Sequence, residues 1–268
     1  MSVVLVSYAS RALRGSQELL RDTTRQVGGV DAAFFHTPRD IERTFRRKHS
    51  AILNQPRGVG YWLWKSYLIH RHLQDLDHED WLFWCDAGAF LVEQPALLVE
   101  HVQSRQPSVV VFDASPYWLE FMYTKRDAFL LTGCDKPGFW ASPQRQAGFS
   151  LWRGTDLARQ VASEWLEICT DPRAITDQPN ELGAPNLPGF REHRHDQSLL
   201  SLVTKRYGIP SWRTPSQHGN RWMSHYPDSR YPQIVHSTGW RLPTPIERAR
   251  IRLALRTRAR AMLRKARP

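Results

Sequence analysis

The sequence contains little cysteine and no long apolar run. Three cysteines occur in 268 residues, and Cys85, Cys134 and Cys169 lack the close spacing of paired metal ligands. An odd number of cysteines is typical of free thiols in a reducing compartment. The apolar run that begins at Val3 is too short for a signal peptide, and no later run is long enough to span a bilayer. We therefore expect a cytoplasmic protein.

Positive charge is concentrated at one end of the chain. The net charge is +11, of which residues 247–268 carry +8 through nine Arg or Lys and one Glu, leaving +3 for the rest. We therefore expect one domain over residues 1–245, followed by a basic tail, residues 246–268. The near-neutral body argues against a nucleic-acid-binding fold, so no nucleic acid is expected as a partner.

The basic tail has the pattern of an amphipathic helix. Ile251, Leu255, Met262 and Leu263 can partly share one helical face among the arginines. Such a helix favours an anionic membrane surface, which predicts a peripheral location on the inner face of a membrane. A solvated, disordered tail and a nucleic-acid contact through the tail are the alternatives.

Strand-like and helix-like segments alternate along the body. The pattern predicts strands at residues 3–8, 32–36, 81–85, 109–112, 147–152 and 233–236. It predicts helices at residues 10–27, 38–54, 61–76, 96–104, 126–132, 155–169 and 195–207, and a long loop at 171–189. This alternation indicates an α/β fold: a single Rossmann-like domain whose mixed, mainly parallel sheet is flanked by helices.

An acidic residue follows the most apolar predicted strand. Asp86, Ala87 and Gly88 come directly after residues 81–85. Open α/β sheets bind ligands just outside the carboxyl ends of their strands, and a glycine allows a ligand to approach the backbone. This pattern predicts a site for a polyanionic ligand that carries a metal ion. The alternative is that Asp86 only caps a turn.

Four sequence blocks, in order, resemble the GT-A type glycosyltransferases, especially glycogenin-like and lipopolysaccharide sugar transferases of bacteria. Residues 81–91 resemble the strand that ends in the family's Asp-x-Asp motif, and residues 146–153 its Asn-Ala-Gly strand. Asp196-Gln197 resembles the Asp-Gln pair near the reacting sugar, and residues 235–240 the late loop that contains a histidine. The resemblance implies a GT-A-like domain and a nucleotide-sugar donor.

The resemblance also implies a divalent metal, Mn or Mg, which would stabilise the leaving nucleoside diphosphate as a Lewis acid. It makes Asp86 a metal or ribose ligand and His236 a second metal ligand. Gly88 stands where the family has its second Asp, so metal binding through this motif would be weakened. Lys65, Arg241 or another basic residue could neutralise the phosphates instead.

Asp196 and Gln197 are the predicted catalytic residues. By resemblance, Asp196 would bind donor-sugar hydroxyls or orient the acceptor, and Gln197 would lie under the reacting carbon. This pairing favours retention of the anomeric configuration. If the reaction inverts, Asp196 or Asp113 could be the base that takes the acceptor proton. Asp196 could also be only a helix cap.

The remaining predicted donor contacts come from several segments. Ser7 and Tyr8 end the first strand, where the family holds the nucleotide base, and Tyr8 could stack on it. The glycine-flanked turn at residues 57–60 precedes Lys65 and could cradle an anion, although an ordinary turn before a core helix explains it equally well. The further predicted donor contacts are Ala87, Gly88, Gln146, Gly148 and Arg241.

These features together predict a glycosyltransferase. Its acceptor would be a saccharide or lipid-linked saccharide in surface polysaccharide or lipopolysaccharide biosynthesis. The alternative is a catalytically degenerate module that binds a nucleotide or glycan, for which the missing carboxylate at Gly88 is the main argument.

Overall fold

A computed structural model describes residues 1–239, 243–251 and 253–255. The strands are β1 (Val3–Tyr8), β2 (Ala32–His36), β3 (Trp81–Cys85), β4 (Ala89–Leu91), β5 (Val109–Asp113), β6 (Arg145–Arg153), β7 (Ser211–Trp212) and β8 (Val235–Ser237). The main sheet has the strand order β2-β1-β3-β6-β5-β7. Only β6 is antiparallel to its neighbours, β3 and β5, among the described strands of this sheet. The predicted α/β fold with a mixed, mainly parallel sheet is confirmed.

Helices cover both faces of the main sheet. They are α1 (Arg14–Val27), α2 (Arg43–Lys48), α3 (Ser50–Leu53), α4 (Gly58–Tyr61), α5 (Leu63–Gln74), α6 (Ala96–Gln103), α7 (Glu120–Tyr123), α8 (Arg126–Leu131), α9 (Pro137–Trp140), α10 (Asp156–Cys169), α11 (Pro172–Ile175) and α12 (His195–Arg206). Short 3₁₀ segments lie at Arg11–Leu13, Pro38–Asp40 and Gly219–His225. Residues 245–251 and 253–255 are also helical. Within the described ranges, no helix is both long and apolar enough to cross a bilayer.

Two apolar layers hold the sheet between the helices. Val6 and Trp84 face the layer formed with α5, α10 and α12, whereas Leu5 and Phe83 face the opposite layer with α6. Successive residues of one strand therefore bury side chains on both faces, as expected for a parallel sheet covered on each side. Burial at about 25 cal/mol per Å² of apolar surface makes these layers the main source of fold stability.

The structure differs from the sequence prediction where local geometry interrupts a periodic pattern. The predicted helix 38–54 is broken, because Ile41 adopts an extended conformation (φ −81°, ψ 124°) and buries its side chain in the core. The predicted helix from residue 61 begins only at Leu63, because the preceding residues are left-handed. The predicted loop 171–189 contains α11, capped by Asp171. Strands β4 and β7 were not predicted, since each is only two or three residues long.

Candidate active site

Asp86 lies at the carboxyl end of β3, beside the neighbouring strand β6. Its backbone N–H donates to the carbonyl of Gly148 at 2.9 Å, which extends the antiparallel pairing of β3 with β6. The indole Nε1 of Trp84 donates to Asp86 Oδ1 at 2.8 Å. The backbone and the side chain of Asp86 are therefore both fixed, and the side chain stays one-third exposed.

Lys65 joins Asp86 to Asp196. Its Nζ lies 3.2 Å from both carboxylate oxygens of Asp86 and 3.1 Å from Oδ2 of Asp196. It also donates to the carbonyl of Ala147 at 3.1 Å. Two of these contacts are hydrogen bonds, to Asp86 Oδ2 and to the carbonyl of Ala147, whereas the buried Asp196 Oδ2 lies at ion-pair distance and accepts no hydrogen bond from the described residues. We call Lys65, Asp86 and Asp196 the carboxylate–lysine cluster.

Burial and the neighbouring charges together shift the pKa values of Lys65 and Asp196. Burial acts to lower the pKa of Lys65, but the nearby Asp196 and Asp86 carboxylates outweigh it and raise the pKa above its usual value. Burial raises the pKa of Asp196 to about 6, against the opposing attraction of Lys65. The lysine therefore remains charged at neutral pH and compensates the buried carboxylate of Asp196.

Gln197 is fixed beside the cluster at the start of α12. Its Nε2 donates to Gln144 Oε1 at 2.8 Å, and its Oε1 accepts from the backbone N–H of Ala147 at 3.4 Å. The carbonyl of Asp196 accepts from the buried indole of Trp165 at 3.0 Å. The helix start is thus anchored to β6 on one side and to α10 on the other.

A cavity of about 610 Å³ opens over the cluster, and we call it the central cavity. It brings together six of the predicted site residues: Lys65, Asp86, Gln146, Gly148, Asp196 and Gln197. A Cβ atom on Gly148 would lie 3.1 Å from Gln146 Oε1 and 3.6 Å from Asp86 Oδ2. The glycine therefore keeps the space beside Asp86 clear.

Aromatic and basic side chains line the outer part of the central cavity, and sequence reasoning did not predict them. The Arg194 guanidinium lies 4.4 Å over the Trp118 ring. Trp222 also lines the cavity and meets the ring of Tyr117 edge-on at 5.3 Å. Tyr117 is 62% exposed and Trp118 39% exposed. We call Tyr117, Trp118 and Trp222 the aromatic rim. The one sequence signal for it was the presence of aromatic residues in segments without a helical or strand-like pattern.

The residues near Gly88 do not fit a protein-held divalent cation. A Cβ atom on Gly88 would lie 3.1 Å from the carbonyl oxygen of Gly239. Both the N–H and the hydroxyl of Thr238 donate to the carbonyl of Gly88 at 2.8 Å. The segment after β8 thus covers the position where a second carboxylate would project. Among the described residues, no group of three or more His, Cys, Asp or Glu could hold a metal ion.

The predicted metal ligand His236 packs elsewhere. Its ring stacks on Phe90 with a centroid distance of 5.1 Å, and burial lowers its pKa. The neighbouring residue Ser237, rather than His236, lines the central cavity, as the alternation of side chains along a strand requires. Asp86 is therefore the one predicted metal ligand that the structure places at this cavity.

Other predicted site residues also lie away from the central cavity. Ser7 and Ala87 are buried, with 0% and 2% of their surface exposed. Asp113, the alternative base, accepts from Ser211 and Tyr226 at 2.8 and 2.7 Å and lines a separate cavity of about 320 Å³. The predicted donor contact Arg241 lies outside the described residues.

Tyr8 lines a second cavity, of about 640 Å³. Trp64 covers one face of the Tyr8 ring at 3.9 Å, which leaves that face no room to stack on a nucleotide base. The lining includes four basic side chains, after which we name it the basic cavity: Arg39, Arg43, Arg46 and Arg47. The close spacing of these four arginines is evident in the sequence. The direction in which their side chains point depends on the break in the predicted helix 38–54.

A left-handed segment contributes residues to both cavities. Residues 58–62 all have positive φ angles, including Val59 (54°), Tyr61 (50°) and Trp62 (59°). Non-glycine residues in this conformation cost on the order of 1–3 kcal/mol each and persist where surrounding packing holds them. Val59 lines the basic cavity, whereas Arg57 and Trp62 line the central cavity.

We compared the chain with known proteins to identify its fold. No protein-family model matches the sequence, and no curated protein matches it. Among solved structures, the bifunctional glycosyltransferase WbbM in its apo form matches with a TM-score of 0.50 and 11% identity, over 90% of this chain and 46% of its own. This chain thus spans about half of that protein.

Two further solved structures are similar at lower scores. Mouse xyloside xylosyltransferase 1, in its apo form, matches with a TM-score of 0.49 and 13% identity, over 91% of this chain and 100% of its own. A glycosyltransferase involved in glycosylation of the major capsid of PBCV-1 matches with a TM-score of 0.44 and 11% identity, over 96% of this chain and 100% of its own. The sheet order and the match to WbbM agree: the chain has a GT-A-like glycosyltransferase fold.

Proposed function

We propose that the protein transfers a sugar from a nucleotide-diphosphate donor to a saccharide acceptor. The observation that carries this proposal is the carboxylate–lysine cluster, because it joins an aspartate at the end of β3 to an aspartate at the start of α12 in a GT-A-like fold. Ligands of open α/β sheets bind at that edge. The central cavity beside the cluster contains Gln197 as well, so both predicted catalytic residues face the same space.

The fixed geometry suits the recognition of sugar hydroxyls. Asp86 and Asp196 are oriented by Lys65, and carboxylates held in this way accept hydrogen bonds from hydroxyls without further ordering. In the reaction, the bond between the anomeric carbon and the phosphate oxygen breaks and its electron pair leaves with the nucleoside diphosphate. The acceptor oxygen forms the new bond to that carbon, and the acceptor's hydroxyl proton passes to the departing diphosphate. Gln197 would lie below that carbon, and Asp196 would bind the donor sugar, an arrangement that we assign to retention of configuration.

The aromatic rim is the proposed entrance for the acceptor. Sugar rings present C–H groups that pack on the faces of aromatic side chains. Trp118 and Trp222 line the central cavity, and Trp118 is 39% exposed. The proposed acceptor is a growing surface polysaccharide or lipopolysaccharide. A free or lipid-linked saccharide would reach the same rim.

The described part of the tail supports a membrane-surface location. Ile246 and Leu253 are 67% and 66% exposed, and each lies in a described helical range, 245–251 or 253–255. With the surrounding arginines, this pattern favours an anionic bilayer surface. Co-sedimentation with anionic vesicles should be lost in I246E/L253E and kept in the control L157E; equal binding by both variants would refute the location.

The proposed activity can be tested with the purified protein and a panel of nucleotide sugars. We expect hydrolysis or transfer with at least one donor, a loss of about 100-fold or more in D86N, and no loss in E18Q, a substitution on an exposed residue of α1. The absence of binding and turnover for every donor, with and without manganese, would refute the proposal.

A further inference from the structure

We propose that the arginines of the basic cavity bind the donor's diphosphate in place of a divalent cation held by the protein. The inference rests on the proposed function and specifies how the anionic part of the donor is recognised. The segment over Gly88 and the arginine-lined cavity beside the cluster carry it.

The geometry around Gly88 is the first part of the argument. The carbonyl of Gly239 lies 3.1 Å from the position of a Cβ atom at Gly88, so a side chain there is tightly confined and needs this backbone carbonyl to shift by a few tenths of an ångström. The carboxylate of Asp86 is already paired with the ammonium of Lys65. A cation bound to Asp86 would sit close to that ammonium, and like charges repel strongly in a partly buried site.

The cluster itself does not neutralise phosphate. The cluster sets two aspartates against one lysine, and Lys65 already donates to Asp86 and to the carbonyl of Ala147, with Asp196 Oδ2 3.1 Å from its ammonium. The cluster therefore suits the neutral sugar of a donor and disfavours its diphosphate. Of the arginines that line the central cavity, Arg57 and Arg194 already pair with Asp177 and Glu192, so most of the counter-charge for the diphosphate has to come from other basic side chains.

The basic cavity provides that charge. Four arginines line it, and no carboxylate is among its described lining residues. In the described ranges, no acidic group lies within ion-pair distance of Arg39, Arg43 or Arg47, and the side chain of Arg46 donates only to the carbonyl of Pro38, at 3.4 Å. Guanidinium groups bind phosphate oxygens through paired N–H donors.

The two cavities lie at one edge of the sheet. Tyr8 ends β1 and lines the basic cavity, and Asp86 follows β3, which pairs with β1 in parallel. A row of rings connects them, because Tyr8 stacks on Trp64 at 3.9 Å and Trp64 lies 6.1 Å from Trp84, whose indole binds Asp86. A nucleotide sugar could thus place its sugar at the cluster and its anionic part among the arginines.

Calorimetric binding of nucleoside diphosphates tests this inference. The probes are UDP, GDP, ADP, CDP and dTDP, each titrated into the full-length protein with EDTA and again with excess manganese. For the diphosphate that binds, we expect the same Kd under both conditions, and in R43A/R47A a Kd at least about tenfold higher, or 1.4 kcal/mol. The control is R11A/R14A, which removes two exposed arginines at the start of the first helical segment and should leave the Kd unchanged.

The outcomes separate this inference from the proposed function. Binding that requires manganese, or that is unchanged in R43A/R47A, would overturn the arginine site and leave sugar transfer standing. Failure of every diphosphate to bind would overturn both. Circular dichroism of each variant shows that a change in Kd does not reflect unfolding.

Discussion

The ammonium of Lys65 lies 3.1 Å from the Asp196 carboxylate and 3.2 Å from the Asp86 carboxylate. These residues come from α5, the start of α12 and the end of β3, so one buried cation connects a helix on the sheet face to the ligand-binding edge. Removing one partner of a buried charge pair leaves the other uncompensated. The cluster is therefore both a structural element and the centre of the proposed site.

Replacing Lys65 should destabilise the fold strongly. K65M removes the cation while keeping much of the side-chain volume, and leaves Asp196, of which only 5% of the side chain is exposed, without its ion pair. We expect a loss of about 3–5 kcal/mol in the free energy of unfolding, measured with urea. K136M alters an exposed lysine and serves as the control. Equal stability of K65M and the wild type would contradict the assigned role.

The raised pKa of Asp196 predicts a pH dependence of stability. The pKa rises from 3.8 to about 6 on burial, so the folded state binds the proton more tightly than the unfolded state. The stabilisation is complete below pH 3.8 and is lost as the pH rises through about 6. From pH 4 to pH 7, the wild type should lose about 2–3 kcal/mol of unfolding free energy relative to D196N. Parallel stability curves for the two proteins would contradict the raised pKa.

Restoring the second carboxylate should not create a metal site. In G88D the new side chain would meet the Gly239 carbonyl, and we expect a loss of about 1–3 kcal/mol from overpacking. Thermal unfolding should show a lower Tm for G88D that manganese does not raise. G138D is the control, since no atom lies within 4 Å of a Cβ at that position. A manganese-dependent rise in the Tm of G88D alone would contradict this prediction, because it would show that the segment after β8 moves aside and a metal binds to the new carboxylate.

If the aromatic rim binds the acceptor, a substitution there should weaken acceptor binding without changing the reaction of the donor. W222A should raise the acceptor KM about fivefold or more while donor hydrolysis without acceptor is unchanged. F34A alters a 44% exposed aromatic residue on β2 and should leave both quantities unchanged. An unchanged acceptor KM in W222A would exclude the rim from acceptor binding.

Local patterns predicted most strands of the main sheet and the place of Asp86 at its edge. The predicted bounds 3–8, 32–36 and 81–85 match β1, β2 and β3, because these strands are continuous apolar runs between polar turns. Asp86 could be placed at the ligand-binding edge because position at a strand end follows from sequence order. The meeting of Lys65 with Asp86 and Asp196 was not predicted, since it depends on how α5 and α12 pack on the sheet.

The features that the sequence did not predict depend on the conformation or orientation of single residues. Side chains alternate along a strand, so the orientation of His236 relative to Ser237 depends on the register of β8 with β4. The left-handed conformation of Tyr61 and Trp62 runs against the intrinsic preference of bulky residues. Long-range packing determines both features, and neither leaves a pattern in the sequence.

A structure with a bound nucleotide sugar tests the central claim most directly. We predict the donor sugar in the central cavity, with at least one hydroxyl within hydrogen-bonding distance of Asp86 or Asp196, and its reacting carbon facing Gln197. A donor whose sugar binds away from the carboxylate–lysine cluster, leaving the central cavity open, would contradict the account.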